Sequence, residues 1–157
     1  MEPIFIKKSS FAVIGKEGST IDGNGFVETL WQSMNVDFDK IFRLVKTDEK
    51  GNTAGIWGLM SNFDRSLKPW TDFKDGLYLA GAEVELDVEP PTGWKKWIVP
   101  SAEYLGFKVE NNYQDTFKKG LDYLKAHNLS LVMAVFDFHK MDENGQLYIM
   151  FPVSIVA

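Results

Sequence analysis

Residues 130–153, SLVMAVFDFHKMDENGQLYIMFPV, read as two strands joined by a tight polar turn. Leu131 to Phe138 is rich in β-branched and aromatic side chains, Asp142-Glu143-Asn144-Gly145 carries Asn-Gly at its tip, and Leu147 to Val153 resumes the apolar run. The stretch is a predicted hairpin. Within it Asp137 sits between Phe136 and Phe138, in a strand too apolar to be a solvated ribbon. A carboxylate in such a place needs a partner inside the protein or a ligand that supplies one.

Working outward, the same alternation of elements appears twice. Residues 4–18 read as a strand with a bend at 7–10. After the polar loop 19–25, Val27, Leu30, Trp31, Met34, Phe38, Ile41, Phe42 and Val45 recur at three- and four-residue steps, the spacing of a helix face, with a break expected near 35–37. Strands follow at 53–61 and 77–88, the latter setting Glu83 and Glu85 against Val84 and Leu86. Glu89-Pro90-Pro91-Thr92-Gly93 interrupts every regular pattern and reads as a junction. Beyond it, residues 94–99 form a lead-in and 103–110 a strand. Asn112 can cap a helix whose apolar positions are Tyr113, Phe117, Leu121 and Leu124, and the hairpin closes the chain.

The expected fold is therefore an α/β (α+β) domain over residues 1–157, built from tandem duplicated β-α-β-β units at about 1–88 and 94–157. Each unit covers one sheet face with its own helix and must find company for the other. Pairing the halves about a pseudo-twofold axis meets that need and leaves a central cleft at the seam, where a small-molecule pocket is expected.

Composition narrows the function. The 157 residues carry a net charge of −5 and no long basic run, so direct nucleic-acid binding is not expected. No cysteine is present, which removes thiolate chemistry and fits a reducing cytoplasm. The start lacks a signal-peptide core, and no apolar stretch reaches the length of a membrane span, so a cytoplasmic protein is expected. Neither a metal set nor a cofactor is indicated. The twelve Phe, five Trp and five Tyr exceed what a small core requires. Trp57, Trp94, Trp97, Tyr104 and Tyr148 are placed toward the cleft, where flat rings can sandwich a planar ligand and attract a cation. Asp137 is the expected counter-charge, with Glu83 assisting. Met150, on the same strand face as Tyr148, would line the same cavity.

Three motifs, in order, resemble those of the GyrI-like, or AraC-type, effector-binding domains. Val99-Pro100-Ser101-Ala102-Glu103-Tyr104-Leu105-Gly106-Phe107 is similar to their Ile-Pro-x-Gly-x-Tyr-x-x-Phe. Phe136-Asp137-Phe138-His139 resembles Phe-Glu-x-Tyr, with Asp137 one methylene shorter than the family glutamate and His139 in place of tyrosine. Leu147 to Val153 resembles the closing Ile-x-Ile-Pro-Ile strand. The resemblance implies a duplicated α/β fold whose central cavity binds small, often cationic and aromatic, molecules. Since the helix-turn-helix module often fused to such domains is not seen, it implies a free-standing effector sensor or sequestering domain serving a partner regulator protein. The alternative is a hydrolase of reactive electrophiles, with Asp137 and Tyr104 or Tyr148 as base and donor. A haem reading with His139 as ligand is weaker.

Overall fold

The computed structural model describes residues 2–155. They form one antiparallel eight-stranded sheet with two α-helices, in the order β1 (Ile4–Lys8), β2 (Phe11–Ser19), α1 (Phe26–Val36), β3 (Ile56–Ser61), β4 (Leu77–Val84), β5 (Lys95–Val99), β6 (Ala102–Lys108), α2 (Tyr113–Ala126), β7 (Phe136–Lys140) and β8 (Gln146–Ile155). Among the described residues no helix is long and apolar enough to cross a membrane. The strand order is β1-β6-β8-β7-β3-β4-β2-β5. Numbering the two runs β1 to β4 and β5 to β8 in parallel, this order reads the same from either end, with β7 and β3 meeting at the centre. The two edge strands are exchanged: β1 adds to β6 of the second run, and β5 to β2 of the first.

That exchange is where the fold departs from the sequence reading. The bend at 7–10 is a true break, so residues 4–18 supply two strands in different halves of the sheet rather than one. The lead-in at 94–99 is β5, a full member of the sheet. Strand β4 stops at Val84, and β7 begins only at Phe136, because residues 131–135 run as irregular chain tied to Pro152 and Leu67 through the Val132 and Ala134 amides. The expected helix break is present. After Val36 the chain continues as two 3₁₀ turns, Phe38–Lys40 and Phe42–Leu44. Asn112 caps α2 as its chemistry suggests, its side chain accepting from the Asp115 amide at 2.9 Å. Asn144 and Gly145 both take positive φ (57° and 77°), as a tight hairpin tip demands.

The sheet curls around its inner face. Gly15 of β2 lies opposite Gly81 of β4, and a Cβ on either would run into the other strand's backbone. This close approach lets the strands bend together. Three clusters follow from the curl. The inner face is a core drawn from both halves, including Phe11, Val13, Trp57, Leu79, Tyr104, Phe136 and Met150. On the outer face, α1 covers Ala12, Ile14, Ala80 and Ala82, while α2 covers Phe107, Ile149 and Phe151. Between the two helices, over the central strands β7 and β3, runs a groove.

Candidate functional site

Alternation along the strands sorts the sequence-derived candidates onto two faces. Trp57, Trp97, Tyr104, Tyr148 and Met150 all join the inner core, and Glu83, in register with them on β4, lies there too, only 3% exposed. Asp137 points the other way. In the β7–β8 ladder it pairs with Ile149, whereas Phe138 pairs with Tyr148 and Phe136 with Met150, so the acid faces the helices. Trp94, just outside β5, packs with the α1 cluster, its ring 4.4 Å from Lys16 Nζ. One aromatic cleft containing all eight residues is therefore not what the chain builds. Glu85 lies beyond the end of β4 and does not share the burial of Glu83.

Two buried acids, Glu83 and Asp137, and the half-buried Glu17 differ in how their charge is met. Glu83 holds Lys8 Nζ at 3.0 Å and Lys46 Nζ at 3.5 Å, and accepts from Trp57 Nε1 at 3.3 Å. Glu17, at the other end of the inner face, takes a two-pronged contact from Arg65 at 2.8 and 2.6 Å and a hydrogen bond from Trp97 Nε1 at 2.8 Å. Asp137 has only neutral partners. Tyr78 Oη donates to its Oδ2 at 2.7 Å and Tyr113 Oη to its Oδ1 at 2.6 Å, while Trp31 Nε1 donates to Tyr78 Oη at 3.2 Å. Among the described residues no lysine, arginine or histidine nitrogen forms an ion pair with it.

Each part of this arrangement has a local cause. Tyr78 shares a strand face with Ala80 and Ala82, so its ring runs under α1 toward the groove. Its hydroxyl fits because residue 58, opposite Asp137 on β3, is glycine: a Cβ there would overlap the Tyr78 phenol. Tyr113 is the first residue of α2, directly after the Asn112 cap, and is thereby aimed across the sheet seam. Trp31 comes from the middle of α1 and stands edge-on to His139, with ring centroids 5.1 Å apart. Burial pushes the Asp137 carboxyl up to about 6, against the downward pull of the Tyr113 and Tyr78 hydrogen bonds. Both phenols are driven well above their ordinary range, by burial first and by the neighbouring carboxylate second. Burial also lowers the His139 pKa.

Apolar cavities lie on either side of the acid. One, of about 130 Å³, is lined by Met60, Trp70, Phe73, Tyr113, Phe117 and Val135. The other, of about 470 Å³, is lined by Trp31, Met34, Phe38, Ile56, His139 and Met141 among others. Tyr113 borders the first and Trp31 the second, so the hydrogen-bonded cluster on Asp137 forms the wall between them. Asp137 itself lines neither cavity; its desolvated charge stands behind the Tyr78 and Tyr113 phenols, with aromatic surface on both sides. Tyr78, Tyr113 and Trp31 were not singled out by the sequence reading. Tyr113 and Trp31 registered only as apolar positions of helical spacing. The phenols that touch Asp137 are these two tyrosines, and not Tyr104 or Tyr148, which lie across the sheet.

No protein-family model matches the chain, and no curated protein matches it by sequence. Solved structures do match in fold along nearly the whole length. SAV2435 bound to tetraphenylphosphonium superposes with a TM-score of 0.64 at 15% identity, covering 98% of this chain and 94% of that one. The EcmrR C-terminal domain gives 0.66 at 10% identity, covering 99% and 98%. A hydrolase from Listeria innocua gives 0.59 at 10% identity, covering 98% and 92%.

Proposed function

We propose that the chain binds a small hydrophobic cation in the groove between α1 and α2, with Asp137 as its counter-charge, and works as an effector-sensing or sequestering domain of the GyrI-like kind. The observation that carries this reading is the contrast between the two buried acids: Glu83, like the half-buried Glu17, is neutralised by a cation of the chain, while Asp137 is held by two neutral phenols. A buried carboxylate left without a cation is costly to keep ionised. A ligand that brings the missing charge, together with aromatic arms for the flanking cavities, recovers that cost on binding. The fold shared with SAV2435, which holds tetraphenylphosphonium, adds support, and the likeness to the EcmrR domain fits a sensor that acts through a regulator.

The test is a fluorescence titration with tetraphenylphosphonium, its size-matched anion tetraphenylborate, and neutral triphenylphosphine oxide. Trp31 and Trp70, which line the two cavities, serve as reporters. Saturable quenching by the cation and none by the anion is expected, whereas equal quenching by all three would contradict a charged site.

Binding should also depend on pH with a defined sign. The ligand prefers the ionised acid, and that acid holds its proton up to about pH 6. Affinity should therefore fall about tenfold per pH unit below 6 and level off above about 7. Tyr78 and Tyr113 stay neutral throughout this window. His139 faces the neighbouring cavity, so the slope is assigned to the acid only if Asp137→Asn removes it. A slope surviving that substitution would point to the histidine.

A further inference from the structure

The inner face holds its own buried acid, Glu83, and the chain's own Lys8 meets it. Lys8 is the last residue of the edge strand β1, on the face of Ile4 and Ile6. Its ammonium crosses the curl to Glu83, with Nζ 3.0 Å from Oε1 and 3.2 Å from Oε2. It stands 4.7 Å from the Phe11 ring centroid and 5.8 Å from that of Trp57. Those rings are 4.8 Å apart, and Phe138 closes the far side of Trp57 at 4.5 Å. A carboxylate at the base, an indole N–H fixing it and π faces on the flanks make up the chemistry that selects an organic cation.

A separate observation marks this end of the inner face as unfinished. Tyr104 Oη is completely buried and has no hydrogen-bond partner, alone in this among the described side chains. Tyr104 pairs with Ile6 across the β1–β6 ladder, two positions from Lys8 on the same face, and its ring lies 6.5 Å from Trp57. Its pKa is raised by burial and next by the charge of Glu83, which places the phenol within the field of the same carboxylate. An orphaned hydroxyl in such a position is unfavourable unless something arrives to meet it.

We propose that Glu83, Trp57, Phe11 and Tyr104 form a binding site for a primary alkylammonium group, and that Lys8 is a tethered occupant that keeps it shut. The lysine can leave without disturbing the sheet. Its side chain is 24% exposed, and its backbone lies in an edge strand paired on one side only. Rotation of the side chain would carry the ammonium to solvent and admit a ligand's ammonium in its place. Lys46, the second and more exposed cation on Glu83, approaches from the loop after α1 and does not touch the rings. This site is separate from the Asp137 groove, which opens on the opposite sheet face.

Lys8→Ala removes three methylenes and the ammonium, the outline of n-propylammonium. The Trp57 indole N–H resonance, assigned by its loss in Trp57→Phe, reports on the site because that proton is donated to Glu83. In Lys8→Ala, n-propylammonium should shift this resonance saturably and raise Tm, whereas isosteric n-propanol should do neither. Wild type should bind the amine at least about tenfold more weakly, the lysine being in the way. Lys8→Met, which fills the space without charge, should not bind it, and Glu83→Gln in the Lys8→Ala background should abolish the response. No saturable shift in a folded Lys8→Ala would overturn the site, and equal affinity in wild type would overturn the role of Lys8. Tetraphenylphosphonium binding at Asp137 is expected to persist in Lys8→Ala, so the two sites can fail separately.

Discussion

Asp137→Asn should weaken tetraphenylphosphonium binding near pH 7.5 by at least about thirtyfold, the loss expected when a desolvated charge partner is removed from a buried pair. The side chain keeps its size, and one amide oxygen can still accept from Tyr78 or Tyr113, so the groove keeps its shape. Affinity for triphenylphosphine oxide should therefore change little. The same substitution should stabilise the unliganded protein. In the folded chain the carboxyl holds its proton up to about 6, against an ordinary 3.8. As pH rises between these values the unfolded chain has released its proton while the folded chain retains it, so stability falls across that window and stays lower above it. The gap corresponds to a cost of about 3 kcal/mol. Asparagine, neutral at every pH, avoids it. Thermal unfolding should show Asp137→Asn with a higher Tm than wild type near pH 7.5 and a similar Tm below about pH 4. A Tm lower than wild type near pH 7.5 would mean that the two phenols stabilise the carboxylate more than burial penalises it.

Gly58→Ala should be the most damaging conservative change in the groove. The added methyl would overlap the Tyr78 phenol and crowd Cβ of Asp137. Tyr78 is fully buried under α1 and cannot move aside without unpacking that helix. Overpacking together with a broken buried hydrogen bond predicts a loss of about 3 kcal/mol or more. Cation affinity should fall too, because Tyr78 and Trp31 form one side of the wall. The double substitution Gly58→Ala with Tyr78→Phe separates the two causes. Removing the hydroxyl relieves part of the overlap, so the double variant should be more stable than Gly58→Ala alone, measured by denaturant unfolding. If the single variant unfolds like wild type, the tight fit of Tyr78 against β3 is not what orders this site.

The features behind these effects differ in how legible they are in the sequence. The hairpin was readable, because Asn144-Gly145 at its tip permits positive φ in both residues. So was α2, from its Asn112 cap and helical spacing. The exchange of β1 and β5 between halves was not, since edge pairing depends on how a sheet curls and leaves no local period. Asp137 drew attention for the right physical reason, an acid in an apolar strand, but was grouped with the wrong rings. The hairpin tip could not correct this: a two-residue turn at Asn144-Gly145 would set Asp137 opposite Pro152, on the face of Tyr148 and Met150, whereas the actual connection takes in the 3₁₀ turn Met141–Glu143 as well, which sets Phe138 opposite Tyr148 and turns Asp137 away. Tyr78 could be sorted by strand alternation, since Ala80 and Ala82 share its face and leave room for a helix. Tyr113 was harder. A tyrosine at the first turn of a helix looks like any apolar anchor until its hydroxyl is found 2.6 Å from a carboxylate. Glu83 and its two lysines come from three distant segments, and nothing local announces that they meet.

The most direct measurement is a crystal structure of the protein soaked or grown with tetraphenylphosphonium, whose phosphorus scatters more strongly than carbon and so locates the cationic centre. Phosphorus is expected beside the Asp137 carboxylate, with phenyl arms reaching toward Phe117 on one side and Trp31 on the other. Phosphorus on the inner face near Trp57 and Glu83, with the outer groove empty, would contradict that placement.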